Sequence, residues 1–445
     1  MSLLRETMGW VEQHSPEQAA YLQAVEGVCR EIVPIINAND VYKEHNVLKR
    51  LIVPDQVIQF KVEWEDDNGR CRVNNGWRVQ HNNLLGPYKG GTRFTPDVNT
   101  SVLKFLAFEQ SFKNALSGLT LGAGKGGADF DPKHASESEI RRFCNAYMEN
   151  LYRHIGSHTD VPAGDINVSD RELGWMYGKY LRLTKQYDGA ISGKPLQISG
   201  SELRVEATGF GVIYFLQQVM HYHGESIEGA NIAISGAGNV ALHAALKANR
   251  LGAKVKTLSN SKGTYFDDSG LSESDLTWLI EHKHAYTNAL DELAKSTGGV
   301  FYQKQVPWDI DVDIAIPCAT QNEIDESCAS TIVKRSVKYL VEGANMPCDK
   351  AATAILQNSD MIVVPGKASN AGGVILSGFE MQQNANFSYR NADQLTQQLQ
   401  DSMSSIHEAC VIESQRAGEQ TINYGRSATV AGFRRLADAM VATGY

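Results

Sequence analysis

"NIAISGAGNVALHAALKANRLGAKVKTLSN" (residues 231–260) is the stretch that organises the rest of the chain. Within 30 residues it runs from a β-rich apolar segment through a glycine turn to a helix-forming stretch and a second β-rich segment. Gly236 and Gly238, with Ala241 in the third small position, match the pattern G-x-G-x-x-G/A. The first glycine permits a tight turn, the second lets backbone amides approach a pyrophosphate, and the helix N-terminus favours the anion. Glycines of this kind also mark ordinary turns. The flanking strand, helix and returning strand favour a dinucleotide site.

The end of the second strand bears on which dinucleotide is bound. An acidic residue about 20 residues beyond the glycines usually accepts the ribose hydroxyls of NAD. This chain has Asn260, then Ser261 and Lys262. An uncharged end beside a hydroxyl and a cation suits a 2′-phosphate, hence NADP; a plain polar surface turn is the other reading. Further along, "VDIAIP" (312–317), "VKYLVEG" (337–343) and "MIVVPG" (361–366) are short strand candidates separated by helical segments. That rhythm predicts a parallel α/β sheet. A dinucleotide-binding domain is therefore expected over 201–374, with helices over 375–445 packing back on the first domain.

Residues 1–200 read differently. Residues 16–46 are mostly helical, with a break expected near Pro34. Alternating apolar positions from Val57 to Val79 predict strands joined by the turn "DDNG". Residues 100–116 form an apolar-periodic helix, and another starts at Ser136, with Glu139 completing a capping box, and runs to about residue 154. Glycine-rich loops are expected between these elements. One of them, "LTLGAGKGGADFDPK" (119–133), superficially resembles a phosphate loop. The nucleoside-triphosphate motif needs glycine where Leu119 stands and a hydroxyl residue where Gly126 stands, so that reading fails.

Lys125 therefore needs another role. Lys89 in "GPYKGGTRF" and Lys113 in "EQSFKNAL" are two further lysines in informative settings, and Gln110 shares a helix face with Lys113. Most lysines are solvated surface groups. The alternative is chemical: two lysines bind a substrate with two carboxylates, and their charge plus burial lowers the pKa of a third, making it usable as a base. Asp165 in "DVPAGDINV" is the candidate proton-transferring carboxylate, although an aspartate in a Pro/Gly loop is also a common turn residue.

Composition sets the outer limits. The 445 residues carry a net charge of -9, which argues against nonspecific binding to nucleic acid or an anionic membrane. Seven scattered cysteines fit free thiols in a reducing compartment. The N-terminus has neither the apolar run of a signal peptide nor the acid-poor composition of a transit peptide. No run of about 18 apolar residues appears. A cytoplasmic protein without a metal site is expected.

At this point the motifs identify a family. "GPYKGGTRF", "FKNALSGLTLGAGKGGADFDPK", "TDVPAGDINV", "EATGFGVIYF", "CATQNE", "EGANMP" and "NAGGVILSGFEMQQN" resemble, in order, the hexameric glutamate dehydrogenases from about residue 40 to the C-terminus. The resemblance implies an N-terminal α/β substrate domain with a mixed sheet, a Rossmann-like doubly wound dinucleotide-binding domain, and a homohexamer of the smaller subunit class. It implies that Lys89 and Ser377 bind the side-chain carboxylate of L-glutamate and that Lys113 binds the α-carboxylate. Gln110 and the backbone at Gly164 would place the substrate, with Lys125 as the catalytic lysine and Asp165 as the proton shuttle. Thr208, Asn239 and Asn345 would line the coenzyme site. Lys133 and Lys283 match basic positions around the 2′-phosphate of NADP, while a further basic position three residues on is Tyr286 here. The implied reaction converts L-glutamate and NADP⁺ reversibly to 2-oxoglutarate, ammonium and NADPH. Hydride leaves Cα, and water activated by Lys125 attacks the iminium carbon.

Two other readings compete. Enzymes of the same superfamily that act on leucine, phenylalanine or valine put apolar residues where Lys89 and Ser377 stand. A catalytically dead nucleotide-binding scaffold would be expected to lack Lys125 or Asp165.

Overall fold

The computed structural model describes residues 2–282 and 288–444. The chain divides into two compact units. The first comprises Met1–Glu202, Val374–Leu395 and Thr429–Tyr445; the second comprises Leu203–Gly373 and Thr396–Ala428.

The first unit holds a mixed sheet of five strands: β1 (Gln56–Glu65), β2 (Cys71–Asn82), β3 (Tyr88–Phe94), β4 (Ala123–Ala128) and β5 (Asp160–Gly164), in the order β1-β2-β4-β3-β5. Pairing is antiparallel from β1 through β2 to β4, and parallel from β4 through β3 to β5. The turn between β1 and β2 forms as its residues dictate. Asp66 Oδ1 accepts the N–H groups of Asn68 and Arg70, both at 2.9 Å, and Gly69 takes the left-handed φ of 74°.

The helix Thr100–Leu116 is capped by Asn99 and buries Leu103, Ala107, Phe108 and Phe112. The helix Glu137–Leu151 begins with the expected box between Ser136 and Glu139 and ends in a 3₁₀ turn, Tyr152–His154. Its Phe143 stacks on Phe130 at 4.0 Å and meets Phe94 edge-on at 5.1 Å, closing an aromatic core over the sheet.

Two local expectations are corrected here. The helix Ala19–Asn37 does not break at Pro34 but runs past it, because burial of Ile32, Val33 and Ile36 carries the last turn. The glycine-rich segments around Lys89 and Lys125 are not loops. They are strands β3 and β4, with β4 buried throughout. Glycine's weak strand propensity is overridden by neighbours that leave no room for side chains.

The second unit is built on a sheet of seven strands: β6 (Asn231–Ile234), β7 (Lys254–Asn260), β8 (Gly263–Phe266), β9 (Val300–Gln303), β10 (Ile314–Ile316), β11 (Tyr339–Val341) and β12 (Ile362–Val364). Their order is β12-β11-β10-β6-β7-β8-β9. The run from β12 to β7 is parallel. The far edge departs from the expected parallel sheet: β8 pairs antiparallel with β7, because the chain reverses directly after Asn260, and β9 pairs antiparallel with β8. From β6 the chain first winds outward to β7 and later returns to β10 on the other side. The carboxyl ends of β6 and β10 thus flank the point where winding reverses, the usual ligand position of doubly wound sheets.

The C-terminal segment is also corrected. Residues 375–445 were expected to pack on the first domain as a block, but Thr396–Ala428 belong to the second unit. Aromatic packing explains this: the rings of His407 and Tyr424 lie 5.7 and 5.9 Å from that of Phe215, and His407 Nε2 meets the Tyr424 hydroxyl at 2.9 Å. Among the described residues, no helix is long and apolar enough to cross a membrane.

Candidate active site

In the first unit the candidate chemistry centres on two glycine-rich strands. Alternation along β3 puts Lys89, Gly91 and Arg93 on one face. Lys89 is 2% exposed. At Gly90 an added Cβ would lie 1.7 Å from the carbonyl oxygen of Gly124, so β3 and β4 approach too closely for any side chain there. At Gly91 it would lie 2.8 Å from Asp165 Cβ and 3.3 Å from Lys125 Nζ. Gly91 is thus the floor over which the predicted lysine and aspartate meet. Lys125 Nζ is 2.9 Å from Asp165 Oδ2, and Arg93 Nε donates to that same oxygen at 2.8 Å.

Beneath Lys125, on the opposite face of β4, Gly124 and Gly126 leave a trough for Arg78. Added Cβ atoms would come within 3.3 Å of its Nη2 and 3.2 Å of its Cδ. Arg78 reaches along this trough to Asp160 on β5 (Nε to Oδ2, 2.9 Å) and to the carbonyl of Gly90 (3.1 Å). Both charged side chains are wholly buried, and Gln80 Nε2 donates a further bond to Asp160 Oδ2 at 3.0 Å. A buried ion pair persists only when such extra bonds satisfy its remaining valences.

These charges set the protonation of the pair above. Burial pushes the Lys125 ammonium below its ordinary pKa, and the charges of Arg93 and Arg78 push the same way against Asp165. Burial would raise the Asp165 carboxyl, but the charges of Lys125 and Arg93 prevail and hold it well below the usual carboxylate range. The arrangement is an ionised aspartate beside a lysine biased toward its neutral form, a pattern suited to proton transfer.

The helix Thr100–Leu116 carries the other substrate candidates. Gln110 Nε2 donates to Asn114 Oδ1 at 2.7 Å, and Asn114 Nδ2 donates to the carbonyl of Lys89 at 3.1 Å. Gln110 Cγ also lies 3.6 Å from the Cβ position of Gly90. The helix that carries Gln110 and Lys113 is therefore fastened to the strand that bears Lys89. Gly164 ends β5 immediately before Asp165. Ser377 is 1% exposed on the helix Gly372–Ala385, whose Gly378 seats on Leu119 and Leu121. One turn on, Glu380 accepts from Lys194 Nζ at 2.6 Å, with both side chains fully buried.

The second unit holds the coenzyme candidates. Gly236 follows β6 with φ 86°, and a Cβ there would lie 3.0 Å from the carbonyl oxygen of Cys318 after β10. Ser259 fixes the turn from both sides: its Oγ accepts from Gly236 N at 3.0 Å, and its N–H donates to Gly236 O at 3.2 Å. Gly238 precedes the helix Asn239–Arg250, and a Cβ added to it meets nothing within 4 Å. That open ground before exposed helix amides fits a pyrophosphate. Asn260 turns inward on its own loop, accepting from Lys262 N at 2.9 Å, with Ser261 and Lys262 exposed. Asn345 is exposed and accepts from Asn370 at 2.9 Å, while Thr208 lies at the start of the helix Ala207–Tyr222. Lys133 stands exposed on a 3₁₀ turn of the first unit. Lys283 and Tyr286 lie outside the described residues.

Reading the sequence missed five supporting residues: Arg78, Arg93, Asn114, Ser259 and Asn370. Arg93 lies inside the quoted "GPYKGGTRF", two positions along the strand face from Gly91, so period-two alternation was the available signal. Arg78 and Asn114 act through partners 82 and 25 residues away, which no local pattern reveals.

Comparison with known proteins gives the family. A family model described as Glutamate/Leucine/Phenylalanine/Valine dehydrogenase matches residues 199–444, and one described as the Glu/Leu/Phe/Val dehydrogenase dimerisation domain matches residues 54–182. An NADP-specific glutamate dehydrogenase of a Psychrobacter species is 48% identical, covering 98% of this chain and 97% of that one. The NADP-specific glutamate dehydrogenase of Escherichia coli is 47% identical, covering 99% and 98%. Among solved structures, a glutamate dehydrogenase of Plasmodium falciparum superposes with a TM-score of 0.97 at 39% identity, covering 99% of this chain and 94% of that one. The chain belongs to the Glu/Leu/Phe/Val dehydrogenase family.

Proposed function

We propose that the protein catalyses the reversible oxidative deamination of L-glutamate to 2-oxoglutarate and ammonium with NADP(H). The observation that carries this reading is the buried Lys125–Asp165 pair, set on the same face of β3 as the buried cation Lys89. Leucine, phenylalanine and valine have apolar side chains with no carboxylate to place against an ammonium, whereas glutamate brings a side-chain carboxylate that pairs with Lys89. The names of the relatives support the same choice of substrate and coenzyme.

In this mechanism Lys89 and Ser377 hold the side-chain carboxylate, and Lys113 holds the α-carboxylate. Gln110 and the carbonyl of Gly164 orient the amino group. The glycine turn at Gly236 and Gly238, with Thr208, Asn239 and Asn345, binds the coenzyme, and Asn260, Ser261, Lys133 and Lys283 define its 2′-phosphate end. A bound nicotinamide coenzyme supplies the acceptor for the hydride lost from Cα. On the iminium carbon left behind, Lys125 Nζ takes the proton of the attacking water. The Lys125 ammonium passes that proton to the Asp165 carboxylate 2.9 Å away, which hands it to the departing nitrogen and returns to its ionised form. Lys125 must lose its proton for its step, and its surroundings lower its pKa in that direction, while they hold Asp165 ionised. We further propose that the working form is a homohexamer, to be read as six chain masses by light scattering.

Initial rates with a panel of amino acids test the substrate. Glutamate is expected to be oxidised, with leucine, phenylalanine and valine poor substrates. The double variant Lys89→Leu, Ser377→Val should abolish glutamate turnover. An unpaired carboxylate in a desolvated site costs about 3–5 kcal/mol, and some activity on apolar amino acids should emerge. Unchanged glutamate kinetics in that variant would sink the assignment.

A further inference from the structure

We propose that Arg93 is a positioning residue for proton transfer: it clamps the Asp165 oxygen that also receives Lys125, so that the carboxylate never closes on the lysine alone. The inference rests on the function proposed above and adds a residue to it. Its basis is geometric. Arg93 Nε and Lys125 Nζ reach the same atom, Asp165 Oδ2, at 2.8 and 2.9 Å. All three side chains are largely buried, at 13%, 8% and 17% exposed, so the contact is only weakly screened by solvent. Gly91 lies between the arginine and Lys89 on the strand face, and its missing side chain leaves the space that Asp165 and Lys125 occupy.

A carboxylate paired with one lysine alone would hold that lysine protonated, defeating its use as a base. Arg93 changes this in two ways. Its bond to Oδ2 uses acceptor capacity that would otherwise go to Lys125, and its own charge disfavours a second positive charge nearby. The other groups acting on the lysine leave this task to Arg93. Arg78 on β2 lies beneath β4 and is committed to Asp160 of β5. Lys89 stands on β3 beyond Gly91, and Asp165 is the acid that acts on Lys125 from the loop after β5. Arg93 is the cation that touches the aspartate–lysine pair itself.

The test compares Arg93→Met with Arg93→Lys in the full-length protein. Removing the charge should raise the pKa of Lys125, so the acidic limb of the kcat/KM profile for glutamate should move to higher pH by about one unit. Arg93→Lys retains the charge and should keep the limb near its wild-type position while lowering kcat, because it loses the planar guanidinium that fixes Oδ2. The pH dependence of Lys125 modification by trinitrobenzenesulfonate, read by peptide mass spectrometry, gives the same pKa without turnover. It serves if Arg93→Met is inactive. A purely structural arginine would lower kcat and leave both the limb and the modification profile in place; that result overturns the proposal. If the wild type oxidises no glutamate, the functional reading fails, while the modification profile still decides whether Arg93 governs Lys125.

Discussion

The two units use glycine for different physical ends. In the second unit Gly236 bends the chain: its φ is 86°, a conformation that side-chain-bearing residues rarely adopt. In the first unit Gly90, Gly91, Gly124 and Gly126 sit in strands without positive φ, and what excludes a side chain there is a neighbour. A Cβ would strike the Gly124 carbonyl at 1.7 Å, Asp165 at 2.8 Å or Arg78 at 3.2 Å. A glycine chosen for its backbone angle announces itself through local spacing. A glycine chosen for room depends on residues far away in sequence, and local spacing is silent about it.

The function proposed above divides the labour along the same line, with acid–base chemistry in the first unit and coenzyme binding in the second. Lys125→Ala breaks it at the largest expected amplitude. A positioned acid–base group contributes about 10²–10⁴ in rate, so turnover should fall by that factor. Coenzyme affinity, measured by fluorescence titration of the reduced form, should hardly change. A variant that keeps more than about a tenth of wild-type turnover would contradict a base role.

The glycines themselves sharpen the comparison. Gly91→Ala places a methyl group against Asp165, and a displacement near 1 Å at a reacting group costs about 10²-fold. We expect kcat to drop on that scale, with coenzyme affinity unaltered. Gly236→Ala does the reverse. It forces a left-handed angle on alanine at a cost of about 1–2 kcal/mol, so coenzyme Kd should rise about tenfold while binding of 2-oxoglutarate stays normal. If both variants damage the same parameter, the two glycine sets do not serve separate tasks.

Legibility in the sequence followed this same line. The capping box at Ser136 and Glu139, the Asp66 turn and the glycine turn after β6 are local devices, and all are legible in the sequence alone. Lys125 and Asp165 could be picked out as chemistry-bearing residues, but only the fold shows that they meet at 2.9 Å. Strands β3 and β4 read as loops because glycine disfavours extended structure until tertiary packing demands it. The antiparallel edge β7-β8-β9 is not legible because β8 and β9 have only four residues each and lie more than 30 residues apart. The Thr396–Ala428 segment was misassigned because its attachment to Phe215 rests on rings contributed from opposite ends of that unit.

Coenzyme choice carries the smallest expected effect, and here the loop geometry makes the test clean. Asn260 uses its Oδ1 to accept from Lys262 N at 2.9 Å, holding the reversal between β7 and β8. An aspartate keeps that acceptor and nearly the same shape, so Asn260→Asp changes charge at the ribose end without dismantling the turn. The wild type should prefer NADP(H) over NAD(H) by at least about tenfold in kcat/KM, the worth of one charge-assisted hydrogen bond. Asn260→Asp should shrink that ratio by a similar factor through repulsion of the 2′-phosphate. Ser261 and Lys262 are exposed, so the difference should be largest at low ionic strength and fade as salt screens it. Equal use of both coenzymes by the wild type would refute the preference and leave the glutamate chemistry of the first unit standing.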